Sequence, residues 1–374
     1  MNLSRILFIT EGQLGDLLVL TPAIRAVKKA RPEATISVLI FQRRPYFRPF
    51  SSQRGRFLTA PSNGGAAAVF RDNPNTDDVI EIDSAALRGL NSLSRIKAEL
   101  EIIAHLRRRR FDAAVVAPRD RFVLWAFLSG ARVRVGQLRQ VYHQLLTHRP
   151  DIHKSDAGVI KYYCNLVESI GVGVDSYETE FFIPAGSRDF AARFLEGSGV
   201  NAGQRLIAFH PGAHGADRTW PPERFSRLID AVQAWRNTRA LLCGGPYDQA
   251  ILEQIQRHVK TRPIVATSTE ELSHLGALFK RCALFVGNNS GPRHLAAAVG
   301  TPTLAFLARG DHFEWEAYDD RKRHTILQGI EECPACLQNP CRNLIPPAEQ
   351  HGSYCMRMIS VECAAAKVLE MLEA

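Results

Sequence analysis

Three segments of this chain place glycines, a charged or hydroxyl side chain and a helix start side by side, a grouping suited to phosphorylated ligands and to proton transfer. The first is Gly12-Gln13-Leu14-Gly15-Asp16, where two glycines allow a tight turn and a close backbone approach. A carboxylate at a helix N-terminus is held as the anion by the helix dipole. Asp16 in that place can take a proton from a substrate hydroxyl, or can simply cap the helix. The segment lacks the full G-x-G-x-x-G pattern and no acidic residue ends the next strand, which argues against a dinucleotide ligand. The second segment is His210-Pro211-Gly212-Ala213-His214-Gly215-Ala216-Asp217-Arg218-Thr219-Trp220-Pro221. Pro221 signals a helix start, a glycine-rich loop entering a helix offers N–H groups to a phosphate, and Arg218 adds either a fixed cation or a surface ion pair with Asp217. The third, Gly287-Asn288-Asn289-Ser290-Gly291-Pro292-Arg293-His294, runs from a strand through a polar turn into an Ala-rich helix, an arrangement that suits a pyrophosphate. His294, one turn in, either reaches the same anion or satisfies a hydrogen bond in the core.

The elements that must position these segments are legible as an alternation of short apolar runs with longer helical ones. Arg5–Thr10, Thr35–Phe41, Asp78–Ile82 and Ala113–Ala117 read as strands, with one helix running from the GQLGD turn through Ala30 and another over Leu93–Arg110. Residues 43–77, rich in Arg, Pro, Ser and Gly, read as a long mobile loop or insertion. A second alternation follows Gly171–Pro184. It has strands at Leu206–His210, Ala240–Cys243, Pro263–Ala266, Ala283–Gly287 and Thr303–Phe306, and helices at Pro221–Trp235, Tyr247–Val259, Glu270–Lys280 and Pro292–Val299. Such repetition implies parallel sheets covered by helices. The expected division is 1–175 and 176–359, two Rossmann-like domains facing across a cleft, and whether the last helix, 360–372, crosses back to the first domain stays open.

Charge divides the chain along the same line. The 374 residues carry a formal +9, but residues 1–175 hold 26 basic against 16 acidic residues and the remainder 21 against 22. Thirty-eight of the 47 cations are arginine, which forks carboxylates and phosphates bidentately, so the first half is suited to a polyanionic partner. Ordinary globular composition excludes a disordered or collagen-like chain. No apolar run approaches the ~20 residues of a membrane span, and MNLSRILFIT leads directly into a strand without a signal-peptide core, so a cytoplasmic protein is expected.

Together the three segments resemble glycosyltransferase family 9, the heptosyltransferases of lipopolysaccharide inner-core assembly. The resemblance covers most of the chain: the G-x-x-G-D turn with Thr21-Pro22-Ala23, the HPG…WP-x-E-x-F block over His210–Phe225, Gly244-Gly245-Pro246, and VGNNSGPRHLAAAVGTP over Val286–Pro302. It implies an α/β GT-B fold with the acceptor on the first domain and a nucleotide-sugar donor on the second. The implied reaction is inverting, metal-independent transfer from ADP-L-glycero-β-D-manno-heptose to an anionic glycolipid. By position it makes Asp16 the catalytic base, Arg218 the cation on the donor phosphates and Asp248 the ribose ligand, with Gly15, Asn289, Ser290, Gly291 and His294 completing the donor set. Two positions depart from the family pattern, which usually has Lys at 218 and Asp at 289; Asn289 keeps an acceptor, loses the charge and gains donors. No cofactor is implied beyond the nucleotide sugar as co-substrate. The implied partners are that sugar, an acidic glycolipid and the inner face of the cytoplasmic membrane, with no nucleic acid.

Two further features have more than one reading. Cys333, Cys336, Cys341 and Cys355 have spacing that permits a structural zinc site, or are reduced packing cysteines. Gln42–Phe57 interleaves Arg43, Arg44, Arg48, Arg54 and Arg56 with aromatic residues, which suits nucleic acid, an anionic membrane or, under the family reading, acceptor phosphates and acidic sugars. A GT-B enzyme using another nucleotide sugar, and a non-catalytic nucleotide- or nucleic-acid-binding protein of the same fold, are the alternatives to the heptosyltransferase reading.

Overall fold

The computed structural model describes residues 3–42, 58–59, 65–137, 141–152, 158–213, 215–235, 237–267, 271–308, 318–329 and 354–374. They form two compact units, divided between Phe182 and Ile183. The division lies beyond the expected residue 175 because a buried-edge network ties the intervening segment to the first unit. Glu180 accepts from Arg25 Nη1 at 2.8 Å and from Asn75 Nδ2 at 2.8 Å, and the Glu180 N–H donates to Thr21 Oγ1 at 3.0 Å.

The first unit is built on β1 (Arg5–Gly12), β2 (Thr35–Gln42), β3 (Leu58–Thr59), β4 (Asp78–Asp83), β5 (Ala113–Val116) and β6 (Val133–Val135), in the order β3-β4-β2-β1-β5-β6. All pairs are parallel except β3 with β4. The central strand is buried on both faces from Ile6 to Thr10, as expected of a parallel sheet covered on both sides. One expected helix is two. Leu14–Leu18 ends before Thr21–Ala30 begins, because Pro22 sits in the first turn of the second helix and Thr21 Oγ1 donates to Leu18 O at 2.7 Å. Within 43–77 the described residues include β3 and a short helix, Ala68–Arg71, rather than loop alone.

The second unit repeats the pattern with β7 (Arg205–His210), β8 (Thr238–Cys243), β9 (Ile264–Ala266), β10 (Leu284–Asn288), β11 (Thr303–Phe306) and β12 (His324–Leu327). Its order, β12-β11-β10-β7-β8-β9, is all parallel and doubly wound. The core centres on Trp220, Phe225 and Phe306, with ring centroids 4.3 to 5.6 Å apart. The last helix, Val361–Glu373, stays with this unit and does not cross back. Its apolar residues Val361, Ala364 and Val368 join the same core, and Arg205 Nη1 donates to Leu372 O at 3.0 Å. No helix among the described residues is long and apolar enough to cross a membrane.

Candidate active site

In open α/β sheets ligands collect beyond the carboxyl ends of the strands where the strand order reverses. In the first unit that point lies at the ends of β1 and β5. Gly12 closes β1 at φ 141°, and a Cβ there would overlap the Asp16 side chain, so only glycine lets that carboxylate fold back over the turn. Asp16 Oδ2 accepts from the Gln13 N–H at 2.8 Å and the residue is half-buried. The same end of the sheet carries a pocket of about 510 Å³ whose lining includes Glu11, Arg88, Arg95, Arg119, Asp120 and Arg121. Arg119 pairs with Glu11, and Arg121 is braced over the rings of Phe41 and Trp125 at 5.2 and 5.9 Å. Four guanidinium groups stand here against Glu11, Asp120 and the Glu99 carboxylate that faces Arg95 and Arg121, a small cationic surplus that suits an anionic ligand.

In the second unit the reversal falls between β7 and β10, and one side chain links the loops that leave them. Asn288, fully buried at the end of β10, accepts from the Trp220 N–H at 2.9 Å and donates through Nδ2 to Pro211 O at 2.6 Å. It therefore staples both ends of the 211–220 loop to the start of the 289–291 turn. Trp220 in turn is rooted in the core, its Nε1 donating to Ile359 O at 3.0 Å. Ser290 is the N-cap of the Gly291–Ala298 helix, and its buried Oγ meets no partner among the described residues. Arg218 closes a short 3-10 turn, half-buried, its N–H donating to Gly215 O at 3.0 Å. Asp248 closes the 3-10 turn Pro246–Asp248 that follows β8, with its carboxylate turned inward. Oδ2 accepts from the Gly245 N–H at 2.8 Å and sits 3.4 Å from His210 Nε2, while a Cβ on Gly212 would overlap Oδ1. Burial pushes this carboxyl up, but the His210 ring and the Gly245 N–H outweigh it and hold it below its ordinary value.

The family model for glycosyltransferase family 9 (heptosyltransferase) matches residues 100–345. The chain belongs to glycosyltransferase family 9. A lipopolysaccharide heptosyltransferase 3 of Escherichia coli (strain K12) is 26% identical over 315 residues, which cover 82% of this chain and 83% of that protein. A solved glycosyl transferase of family 9 from Veillonella parvula DSM 2008 superposes with a TM-score of 0.77 at 22% identity, covering 99% of this chain and 97% of that one. The E. coli ADP-heptose lps heptosyltransferase II structure superposes with a TM-score of 0.72 at 16% identity over 99% and 98% of the two chains. The fold is the expected α/β GT-B type, and the protein is a glycosyltransferase enzyme.

Within this family 9 glycosyltransferase, Arg218, Asp248, Asn289, Ser290 and Gly291 lie on the second unit around the β7 and β10 ends, whereas Gly15 lies on the first unit beside Asp16. His294 is the core histidine of its two readings. It is buried, its Nδ1 lies 2.9 Å from Tyr318 Oη, and burial, helped by Arg293 and His324, pushes it down to about 3. His324, with its ring 4.6 Å from that of Tyr318, is pushed to about 4 by burial and by Arg293 and Arg323, so both rings are neutral at pH 7. The acceptor candidates Arg43, Arg44 and Arg48 and the cysteines Cys333, Cys336 and Cys341 lie outside the described residues. Cys355 is packed in the apolar core, and among the described residues no group of His, Cys, Asp or Glu side chains has metal-holding geometry.

Three features escape the sequence reading of this glycosyltransferase: the Asn288 staple, the arginine pocket and the Asn289–Arg293 pair. Arg293 is buried, donates to Asn289 Oδ1 at 2.8 Å and lies 5.6 Å over the Tyr318 ring. That bond fixes which way the Asn289 amide faces. A basic residue four positions after Asn289 on a helix start is the one signal in the sequence that could have suggested the pair.

Proposed function

We propose that this glycosyltransferase moves a heptose-type sugar from an ADP-sugar to an anionic glycolipid acceptor of lipopolysaccharide inner-core type, with inversion and without a metal. The observation that carries the reading is Asn288, which holds two phosphate-suited loops together, as a cradle for a donor diphosphate requires. The names of the E. coli relatives, a lipopolysaccharide heptosyltransferase and an ADP-heptose lps heptosyltransferase, support the sugar and the acceptor class. The acceptor hydroxyl oxygen attacks the anomeric carbon from the face opposite the nucleotide, and its proton passes to the Asp16 carboxylate. The bond from that carbon to the β-phosphate oxygen breaks, its electron pair leaving with ADP. Arg218, the Ser290 hydroxyl and the N–H groups at the start of the Gly291–Ala298 helix would receive that charge. Preorganised donors of this kind contribute roughly 3–4 kcal/mol each to lowering a barrier. The nucleotide sugar is a co-substrate, and no cofactor enters the scheme. The pocket arginines of the first unit would take the acceptor's acidic groups, in peripheral contact with the inner membrane face.

Asp16→Ala should lower kcat roughly a hundred- to ten-thousandfold, the range of a lost general base, while the Kd for ADP stays within about twofold. Wild-type turnover in that variant would end the base assignment. A second reading, the same chemistry with another nucleotide sugar, is favoured by one observation: the Asn289 amide is oriented by Arg293 and carries no charge. Product formation with ADP-heptose against other ADP-, UDP- and GDP-sugars separates the two.

A further inference from the structure

The helix Ser92–Arg109 is apolar on two opposite faces. Ala98, Ile102 and Leu106 are buried against the first unit. On the other side Leu93 is 81% exposed, Ile96 58% and Leu100 59%, with Ile103 half-buried and Ala104 exposed in line with them. At 3.6 residues per turn the three large side chains fall within about 60° of arc, centred opposite the buried stripe. An amphipathic helix needs one apolar stripe; the second has no use in packing this unit and marks a surface built to be covered.

Charge identifies what covers it. Residues 88–110 carry seven cationic side chains against two acidic ones. Of the four consecutive at Arg107–Arg110, Arg109 turns into the fold and pairs with Asp78, while Arg107, Arg108 and Arg110 are exposed. Of the two acids, Glu99 is paired within the fold, 3.5 Å from Arg95 and 4.0 Å from Arg121. We infer that this helix is the docking surface for an anionic lipid bilayer, with Leu93, Ile96 and Leu100 entering the interface and the exposed Lys97, Arg107 and Arg108 lying on the headgroups. A second copy of the chain fits less well. The exposed seam spans Leu93 to Ile103, short of the three to four heptads that a coiled coil needs, and pairing two such helices would juxtapose like charges. The location suits an acceptor drawn from the same surface. Arg95, from this helix, lines the arginine pocket, and Asp120, also in its lining, accepts the N–H of exposed Val141 at 2.7 Å. That last link rests on the glycolipid-acceptor reading; the docking surface itself does not.

The test is co-sedimentation of the full-length protein with vesicles of phosphatidylcholine alone and of phosphatidylcholine with added phosphatidylglycerol. The wild type should partition onto the anionic vesicles and much less onto the neutral ones, with binding weakened by salt. The triple variant L93S/I96S/L100S should lower that partition by about tenfold or more, with circular dichroism and thermal midpoint unchanged, since all three side chains are exposed. R107Q/R108Q should remove part of the preference for anionic over neutral vesicles and leave neutral binding as it was. Equal sedimentation of wild type and triple variant, or no preference for the anionic vesicles, overturns the inference. A wild-type dimer in light scattering that the triple variant converts to monomer would assign the face to a second copy instead. Transfer to a detergent-dispersed acceptor should be unchanged in the triple variant. Loss of transfer from every donor in the wild type, with vesicle binding intact, would sink the proposed function and not this surface.

Discussion

The two units share one topology and arm it differently. At the β1 and β5 ends of the first sheet the chemistry is carried by long charged side chains: four arginines, Glu11 and Asp120 around an open pocket, with Asp16 folded over a glycine turn. At the β7 and β10 ends of the second it is carried mostly by backbone and short polar groups, the loop N–H groups, Ser290 Oγ and the doubly bonded Asn288 amide, with Arg218 as a placed cation. A small, invariant diphosphate can be met by fixed partial charges that need no reorganisation. A larger acceptor with several dispersed anionic groups calls for forked cations on flexible stems.

The sharpest way to break this contrast is at Asn288. Asn288→Ala leaves the Trp220 N–H and the Pro211 carbonyl without their partner inside the protein. An abandoned buried polar group costs about 1–3 kcal/mol, so with two such groups the loss in urea-unfolding stability should be about 2–6 kcal/mol. If the staple serves the donor, the Kd for ADP rises together with that loss, while the KM for acceptor barely moves. An unchanged ADP affinity in a destabilised protein would mean that Asn288 serves the core and not the cradle.

Next in size is the reciprocal experiment on the first unit. Arg119→Gln removes one fork from the pocket and leaves Glu11 without its pairing cation from the next loop. Both changes disfavour an anion, so acceptor KM should rise by about tenfold, the equivalent of one lost charge-assisted contact, with donor KM unchanged. Equal effects on both substrates would erase the division of labour between the units.

These features differ in how far the sequence discloses them. The strands of both sheets are short runs of β-branched and apolar residues, such as RILFIT and TISVLIF, and their alternation with helices shows in composition alone. The edge strands β6 and β12 escape because charged residues interrupt or abut their apolar pattern, Arg132 and Arg134 at β6 and Arg321-Lys322-Arg323 before β12, whereas the equally short β9 and β11 are uninterrupted apolar runs. The break before Thr21 turns on one hydroxyl bonding back to Leu18, and the unit boundary on Glu180 reaching Arg25, contacts that no local pattern carries. Of the candidate site, the phosphate-suited loops are visible as glycine-rich segments at strand ends, because their function is local. The Asn288 staple needs β7 and β10 to be neighbours, although 77 residues separate Asn288 from Pro211. The arginine pocket likewise assembles from residues that share only an end of a sheet. For His294 the sequence leaves two readings, and burial decides between them.

The smallest predicted effect probes whether the second unit, for all its reliance on backbone, also selects its ligand with a side chain. Arg293 donates to Asn289 Oδ1, so the Asn289 Nδ2 group is directed away from that bond as a hydrogen-bond donor, and it meets no acceptor among the described residues. Asn289→Asp preserves the bond from Arg293 and replaces that donor by a second acceptor carrying charge. A hydroxyl on the bound sugar can adapt to either by turning its proton, whereas a carbonyl, carboxylate or phosphate oxygen can be met only by the amide. If the natural ligand presents an oxygen of the second kind, kcat/KM for its donor should fall by about threefold or more in the variant. For a donor offering only hydroxyls there it should hold or improve. Comparing the two variants Asn289→Asp and Asn289→Ser across the same donors separates loss of the amide from gain of the charge. A uniform change for every sugar would show that position 289 tunes the loop as a whole, and that selection in this unit is left to its backbone.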